Sequence, residues 1–222
     1  MRKKEFAVIG LGRFGGSICQ ELSREGMEVL AIDRNEERVN QFKHIASHAV
    51  IADATDETTL KELGIKNIDH VIVAIGDNIQ ASILTTVVLV ELGVQRITVK
   101  AQNDYHAKIL HKIGAHQVVH PERDMGRRIA HSIISNNIVD YLELSDDHSI
   151  VEVKAGKKMI GKSIIELDIR AKFGCTVVAI KQGRHINVSP TPDDTLSEDD
   201  ILVVVGADKD IARFERQLVI DD

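Results

Sequence analysis

The residues whose types and spacing could do chemistry begin with Gly10-Leu11-Gly12-Arg13-Phe14-Gly15. This hexapeptide follows an apolar run, Phe6-Ala7-Val8-Ile9, and opens a helical pattern that reaches Gly26. A second apolar run, Val29-Leu30-Ala31-Ile32, then ends in Asp33. Strand, glycine turn, helix, strand and acid is the order of a nucleotide-binding βαβ unit. Gly10 permits a tight turn, Gly12 lets a phosphate approach the backbone, and Gly15 lets the helix pack closely on the strand. The N–H groups and dipole at the helix start favour an anion. Asp33 is an acceptor for ribose hydroxyls, or else a cap for the helix after it. Its charge repels a 2′-phosphate, which argues against NADP and leaves NAD, ATP, ADP and AMP open. The plain alternative is a glycine turn needed only for helix–strand packing.

Such a site requires a sheet to carry it. Runs rich in Val, Ile and Ala occur at 5–9, 28–32, 48–52, 70–75, 96–100 and 117–119, with helical patterns near 13–25, 35–44, 56–63, 78–92 and 104–113. This alternation predicts a parallel sheet covered on both faces, whose strands read as near-continuous apolar runs. Gly26, Gly64, Gly93 and Gly114 stand where helices should stop. Ligands of open α/β sheets bind beyond the carboxyl ends of the strands. Several other candidates fall there: Arg34 and Asn35 after the second run, Asp53 and Ala54 after the third, Ile75, Gly76 and Asp77 after the fourth, and Lys100, Ala101 and Gln102 after the fifth. His106 is expected to line the same crevice. Each polar member has a structural alternative. Asp53 or Thr55 could cap the helix near 56, Asp77 or Asn78 the next helix, and Lys100 could snorkel to the surface.

After His120-Pro121-Glu122-Arg123-Asp124 another helix begins, proline suiting its first turn and the acids its dipole. Its apolar residues Met125, Ile129, Ile133, Ile138, Tyr141 and Leu142 make it a crossover to a second lobe. From about Ser145 the pattern changes to a strand at 149–153, a short helix at 162–167, a hairpin from Cys175 to Val188, a strand at 201–205 and a helix at 208–217. The predicted class is α/β: a doubly wound, Rossmann-like parallel sheet over 1–122, a crossover helix over 123–143, and a small α+β lobe over 144–222.

The 222 residues carry a net charge of −6, with 43% apolar and 28% charged residues. That is an ordinary core-forming composition, with no basic footprint for nucleic acid. No apolar stretch reaches membrane-span length and the basic start lacks a signal-peptide core, so a cytoplasmic location is expected. Cys19 and Cys175 lie far apart and show no ligand spacing, as two reduced buried thiols would. GxSxG, HExxH and CxxC are absent from the sequence. A small NAD-dependent oxidoreductase remains the alternative to a nucleotide-sensing protein, although no residue of the second lobe is marked as its acid or base.

Gly10 to Gly16, together with Ala74-Ile75-Gly76-Asp77-Asn78-Ile79-Gln80-Ala81-Ser82, Val99-Lys100-Ala101-Gln102-Asn103, His120 to Gly126 and Leu167 to Gly174, resembles the RCK (KTN, TrkA-type) family over essentially the whole chain. Within it, the chain is most similar to the cytosolic gating subunits of bacterial Ktr potassium transporters. The resemblance implies a non-enzymatic regulator whose homodimers assemble into an octameric ring under a membrane-embedded potassium-translocating subunit of the KtrB/KtrD type. ATP and ADP would occupy the glycine-loop pocket and set the ring's shape, and NAD or NADH are further pocket ligands in the family. Gating of this kind requires different binding energy in two ring shapes. By the same resemblance Arg13 reaches a terminal phosphate, Asp53 and Ala54 lie by the adenine, and Glu122 helps bind Mg²⁺ or Ca²⁺ near the ATP phosphates. The resemblance also implies an inhibitory cyclic di-AMP site in the C-terminal lobe, at Ile164, Ile165, Asp168, Ile169, Arg170 and Pro190, with Arg170 on phosphate and Ile164 and Ile169 on the bases. A solvated Arg13, a Glu122 serving only the helix dipole, and an apolar dimer surface with a surface Arg170 are the alternatives.

Overall fold

The computed structural model describes residues 3–134, 137–145 and 147–219. The chain divides into two compact units that meet in sequence at Pro121 and Glu122. In the first, strands β1 (Glu5–Ile9), β2 (Glu28–Asp33), β3 (His48–Ile51), β4 (His70–Val73), β5 (Ile97–Lys100) and β6 (Gln117–Val119) form one sheet in the order β3-β2-β1-β4-β5-β6. Every pairing in it is parallel. Helices α1 (Arg13–Arg24), α2 (Glu36–Phe42), α3 (Glu57–Glu62), α4 (Ile79–Glu91) and α5 (Asp104–Lys112) connect the strands.

The strand pleat sends alternate residues into two cores. Ala7, Ile9, Ile32, Val71 and Val73 pack with Leu60, Leu89 and Leu110 from α3, α4 and α5. Val8, Val29, Ala31 and Ile72 pack instead with Cys19 of α1 and with Val39 and Phe42 of α2. Burial on both faces explains the unbroken apolar runs of the sequence. Strand order reverses between β1 and β4, and that switch point is where such sheets open a crevice. The four expected helix stops, Gly26, Gly64, Gly93 and Gly114, all have positive φ.

The second unit opens with helix α6 (Pro121–Ile134). It continues into strands β7 (Ile138–Ser145) and β8 (His148–Lys154), helices α7 (Ile164–Leu167) and α8 (Ile169–Phe173), and strands β9 (Thr176–Gln182), β10 (His185–Asn187) and β11 (Ile201–Ala207). Helix α9 (Asp208–Phe214) follows, and a π-helical turn over Glu215–Val219 ends the described chain. The sheet is antiparallel, in the order β10-β9-β11-β8-β7. Its core joins Val151, Val153, Ile180, Leu202 and Val204 to Phe173 and Phe214, whose rings meet edge to face at 5.7 Å.

The crossover helix is shorter than its sequence pattern. It ends at Ile134, and Ile138, Tyr141 and Leu142, expected on its apolar face, stand in β7. The helical 3/4 spacing is coincidental there: an edge strand with both faces partly exposed loses its period-2 signature. Helix α8 has five residues and follows the cap residue Asp168, whose φ of +48° breaks any periodicity with α7. Both cysteines are buried free thiols, and burial pushes each up to about 11.

Candidate functional site

The glycine loop leaves β1 and turns into α1. Gly10 sits at φ +93°, donates its N–H to Ile32 O at 2.8 Å, and would bring an added Cβ to 3.0 Å from the Ala74 backbone. Gly15 is packed tighter still: a Cβ there would lie 1.9 Å from Gly10 O and 2.8 Å from Ala74 Cβ. Both positions need glycine for the fold itself. Gly12 is different. The nearest atom to an added Cβ is Arg38 Nη1, 4.0 Å away, so its missing side chain leaves open space and not a contact.

That space lies at a helix start of unusual chemistry. Helices α2, α3, α4 and α5 begin on Asn35, Asp56, Asn78 and Asn103, and each of these side chains accepts from a backbone N–H of its own first turn. Helix α1 begins on Gly12 with no side-chain cap and no acid in its first turn. Its leading N–H groups and positive dipole end are therefore left to a ligand or to water.

Asp33, 6% exposed, closes the second side. Its Oδ2 accepts from the Leu11 N–H at 2.7 Å, and its Oδ1 from the Asn35 N–H at 2.8 Å. Arg38 Nη1 stands 3.5 Å from Oδ2. The acid thus fixes the glycine loop as well as offering acceptor capacity. The helix-cap alternative falls to Asn35, whose side chain holds the Arg38 N–H at 3.0 Å. Arg13 and Arg34 are exposed, and Phe14 is half-buried.

At the third strand end, Asp53 accepts from the N–H and hydroxyl of Thr55 at 2.9 and 2.7 Å. Those bonds hold its carboxyl below the usual range. Asp53 therefore makes a local turn, and the cap of α3 is Asp56, which neither of the two sequence candidates matched. Ala54 is buried. After β4, Ile75 is half-buried, Gly76 and Asp77 are exposed, and Asn78 takes the capping role left open between it and Asp77. Lys100 Nζ lies 5.7 Å from the centre of the Phe14 ring and would stand 3.4 Å from a Cβ on Gly76. The structure thus brings the ends of β4 and β5 up to the glycine loop. The Gln102 amide donates to Gly76 O and ties the two strand ends together. Ala101 is buried, and so is His106, at 1% exposed. Its Nδ1 accepts from the Gln102 N–H at 3.3 Å, while Nε2 has no hydrogen-bond partner among the described residues. Burial, and then the nearby His120, lower the pKa of this imidazole.

Glu122 is exposed in the first turn of α6 and opens the second unit. In that unit Ser163 and Glu166 form a reciprocal capping box at α7. Ile164 is half-buried against the core and Ile165 is exposed, but Ile169, expected to contact bases, is 2% exposed because its side chain packs inside the core. Asp168 and Arg170 are exposed and Pro190 is half-buried. Arg38 is the site residue that the sequence pattern does not mark. It reads as one more charge on a polar helix face, and only the fold brings it beside Asp33.

Models of the TrkA-N domain and the TrkA-C domain match residues 6–121 and 148–219. The Ktr system potassium uptake protein C of Bacillus subtilis (strain 168) is 62% identical over 217 residues, covering 98% of each chain. Among solved structures, the GsuK channel bound to NAD is similar with a TM-score of 0.53 at 25% identity, over 97% of this chain and 38% of that one. GsuK bound to ADP gives a TM-score of 0.51 at 26% identity, over 60% of this chain and 34% of that one. The chain therefore spans less than half the length of those channel chains. No described helix is long and apolar enough to cross a membrane. With both of its lobes matched, the chain belongs to the TrkA-N/TrkA-C (RCK) family of regulatory domains of potassium transport.

Proposed function

We propose that this chain is the cytosolic gating subunit of a potassium uptake system and senses ATP and ADP in the crevice at the β1/β4 switch point. The carrying observation is the open, uncapped start of α1 at Gly12, beside a buried carboxylate and at the one point where the strand order reverses. The residues present fit an adenosine polyphosphate. Gly12 and the leading amides of α1 suit phosphate, Asp33 retains acceptor sites for a ribose diol, and Ala54 with the Asp53 turn borders the adenine side. The phosphates supply the charge by which two shapes of an assembly are told apart. Arg13, exposed at the loop, is the residue proposed to read a terminal phosphate, in its own pocket or a neighbouring copy's. Lys100 adds positive charge across Phe14. GsuK, to which the chain is similar, has been solved bound to NAD and bound to ADP, so NAD and NADH are secondary candidates here.

Glu122 would share Mg²⁺ or Ca²⁺ with the nucleotide. A hard cation prefers carboxylate and phosphate oxygens. No cluster of three or more His, Cys, Asp or Glu side chains suited to a metal occurs among the described residues, so such a site needs oxygens from the ligand or from a second copy. The assembly proposed is a homodimer within an octameric ring, docked on the inner membrane face to a KtrB/KtrD-type subunit. Cyclic di-AMP is the proposed inhibitor at α7 and α8. There Arg170 would hold phosphate, and the exposed Ile165 and half-buried Ile164 offer apolar surface for its bases. Ile169 supports that surface from the core beneath, and Asp168 and Pro190 flank it. Retention of the labelled dinucleotide on a filter tests this site.

Titration calorimetry on the purified chain tests the central reading. ATP and ADP are expected to bind with no turnover of NADH, and potassium uptake is expected only when the membrane subunit is present. Retention of neither nucleotide would overturn it.

A further inference from the structure

We infer that Arg38 is a phosphate-reading residue that leaves Asp33 when a nucleotide enters; this rests on the nucleotide reading above. Arg38 is the third residue of α2, and a cation in a first helical turn opposes the helix dipole. Glu36 and Glu37 ahead of it obey that rule, so Arg38 stands against a local preference. Its side chain, 45% exposed, reaches back over the glycine loop. One guanidinium nitrogen, Nη1, lies 3.5 Å from Asp33 Oδ2 and 4.0 Å from the point where Gly12 would carry a Cβ. The guanidinium therefore sits between the acid suited to ribose and the gap suited to phosphate.

Counting acceptor sites shows why it competes with a ribose for Asp33. An ionised carboxylate has about four lone-pair positions. The Leu11 and Asn35 amides take two on Asp33, and Arg38 stands beside the oxygen that Leu11 already occupies. A ribose diol asks for the remaining capacity on the same group. At 3.5 Å the ion pair is looser than a charge-assisted hydrogen bond, so little holds Arg38 in place. A phosphate arriving at Gly12 offers it a full charge at the same reach. Exchange of partners frees Asp33 for the ribose and gives the nucleotide a contact that adenosine lacks.

Calorimetry of ADP and adenosine on wild type and Arg38→Gln, with adenosine measured by displacement, decides the matter. The variant is expected to bind ADP about tenfold or more weakly, as loss of a charge-assisted bond implies, with adenosine held within about twofold. Equal weakening of both ligands, tightening of both, or no change would overturn the role of Arg38 while leaving the nucleotide reading intact. Failure of wild type to bind ADP would overturn both. If Arg38→Gln melts early without ligand, Arg38→Lys supplies the same comparison: it keeps the charge without the fork, and should lose part of the ADP affinity and none of the adenosine affinity.

Discussion

The start of α1 and the start of α4 face the same crevice and solve the same problem in opposite ways. Both leave leading N–H groups without helical partners. At α4, Asn78 turns its side-chain oxygen onto the Ala81 N–H at 2.9 Å and the helix end is satisfied within the chain. At α1 the corresponding residue is Gly12, which has no side chain to turn. A protein concerned only with stability would cap both. The difference locates the part of this sheet that is kept available, and it separates glycines that serve the fold from the glycine that serves a ligand.

The largest test sets Gly15 against Gly12. Gly15→Ala drives a Cβ to 1.9 Å from Gly10 O, a distance no side-chain adjustment relieves, because the obstructing atom is backbone. A loss of about 3 kcal/mol or more in thermal or denaturant unfolding is expected. The same substitution at Gly12, with φ −69° and open space, should cost less than about 1 kcal/mol, the margin by which glycine outranks alanine at a helix cap. Equal destabilisation at the two positions would erase the distinction. Next in size, Asn78→Ala removes the α4 cap and should cost about 1 kcal/mol. A change near zero there would mean that the caps of this unit are not what satisfies its helices.

Gly12→Ser sharpens the comparison from the other side. It gives α1 the cap its neighbours own, so unliganded stability should rise by a few tenths of a kcal/mol. The same hydroxyl occupies the space and the amides that a phosphate would use, and ADP affinity should fall about tenfold. Stability and binding would move in opposite directions in one variant. An unchanged ADP affinity would place the phosphate elsewhere.

The first unit was largely readable from sequence because its physics is local or strongly patterned. Strands buried on both faces become apolar runs such as Val71-Ile72-Val73, and glycines mark the helix ends. The loop, Asp33 and the strand ends were visible for the same reason. What escaped is tertiary. Strand β7 exposes Val139, Leu142 and Leu144, so its apolar residues do not alternate as those of a half-buried strand do, and its form comes from pairing with β8. Asp56 capped α3 in place of Asp53 because the chain makes one more turn before the helix starts. Arg38 has the composition of a solvated helix face, and its place beside Asp33 depends on how α2 packs on β2. His106 was expected at the crevice as a possible lining group; its near-complete burial follows from the packing of α5 and carries no local signature.

His106 gives the smallest and most specific effect. Its Nδ1 accepts from the Gln102 N–H, so the neutral ring carries its proton on Nε2. Protonation would put a second donor against that amide and a charge into a buried site, and both oppose it. Burial, with the neighbouring His120 second, lowers the folded-state pKa from 6.5. The unfolded chain then binds a proton that the folded chain refuses, so stability must rise with pH across this window. The contribution is fully present above about 6.5 and is lost as pH falls through the lower folded value. His70, likewise lowered chiefly by burial, acts in the same direction. His106→Gln should therefore flatten the acid limb of stability against pH by up to one proton and leave the His70 part in place. Gln102 also holds Gly76 O through its side chain, so acid that disturbs its backbone N–H should loosen the β4–β5 edge of the crevice. ADP affinity measured from pH 7.5 down to 5.5 is expected to fall more steeply in wild type than in His106→Gln, and parallel curves would confine His106 to a role in packing.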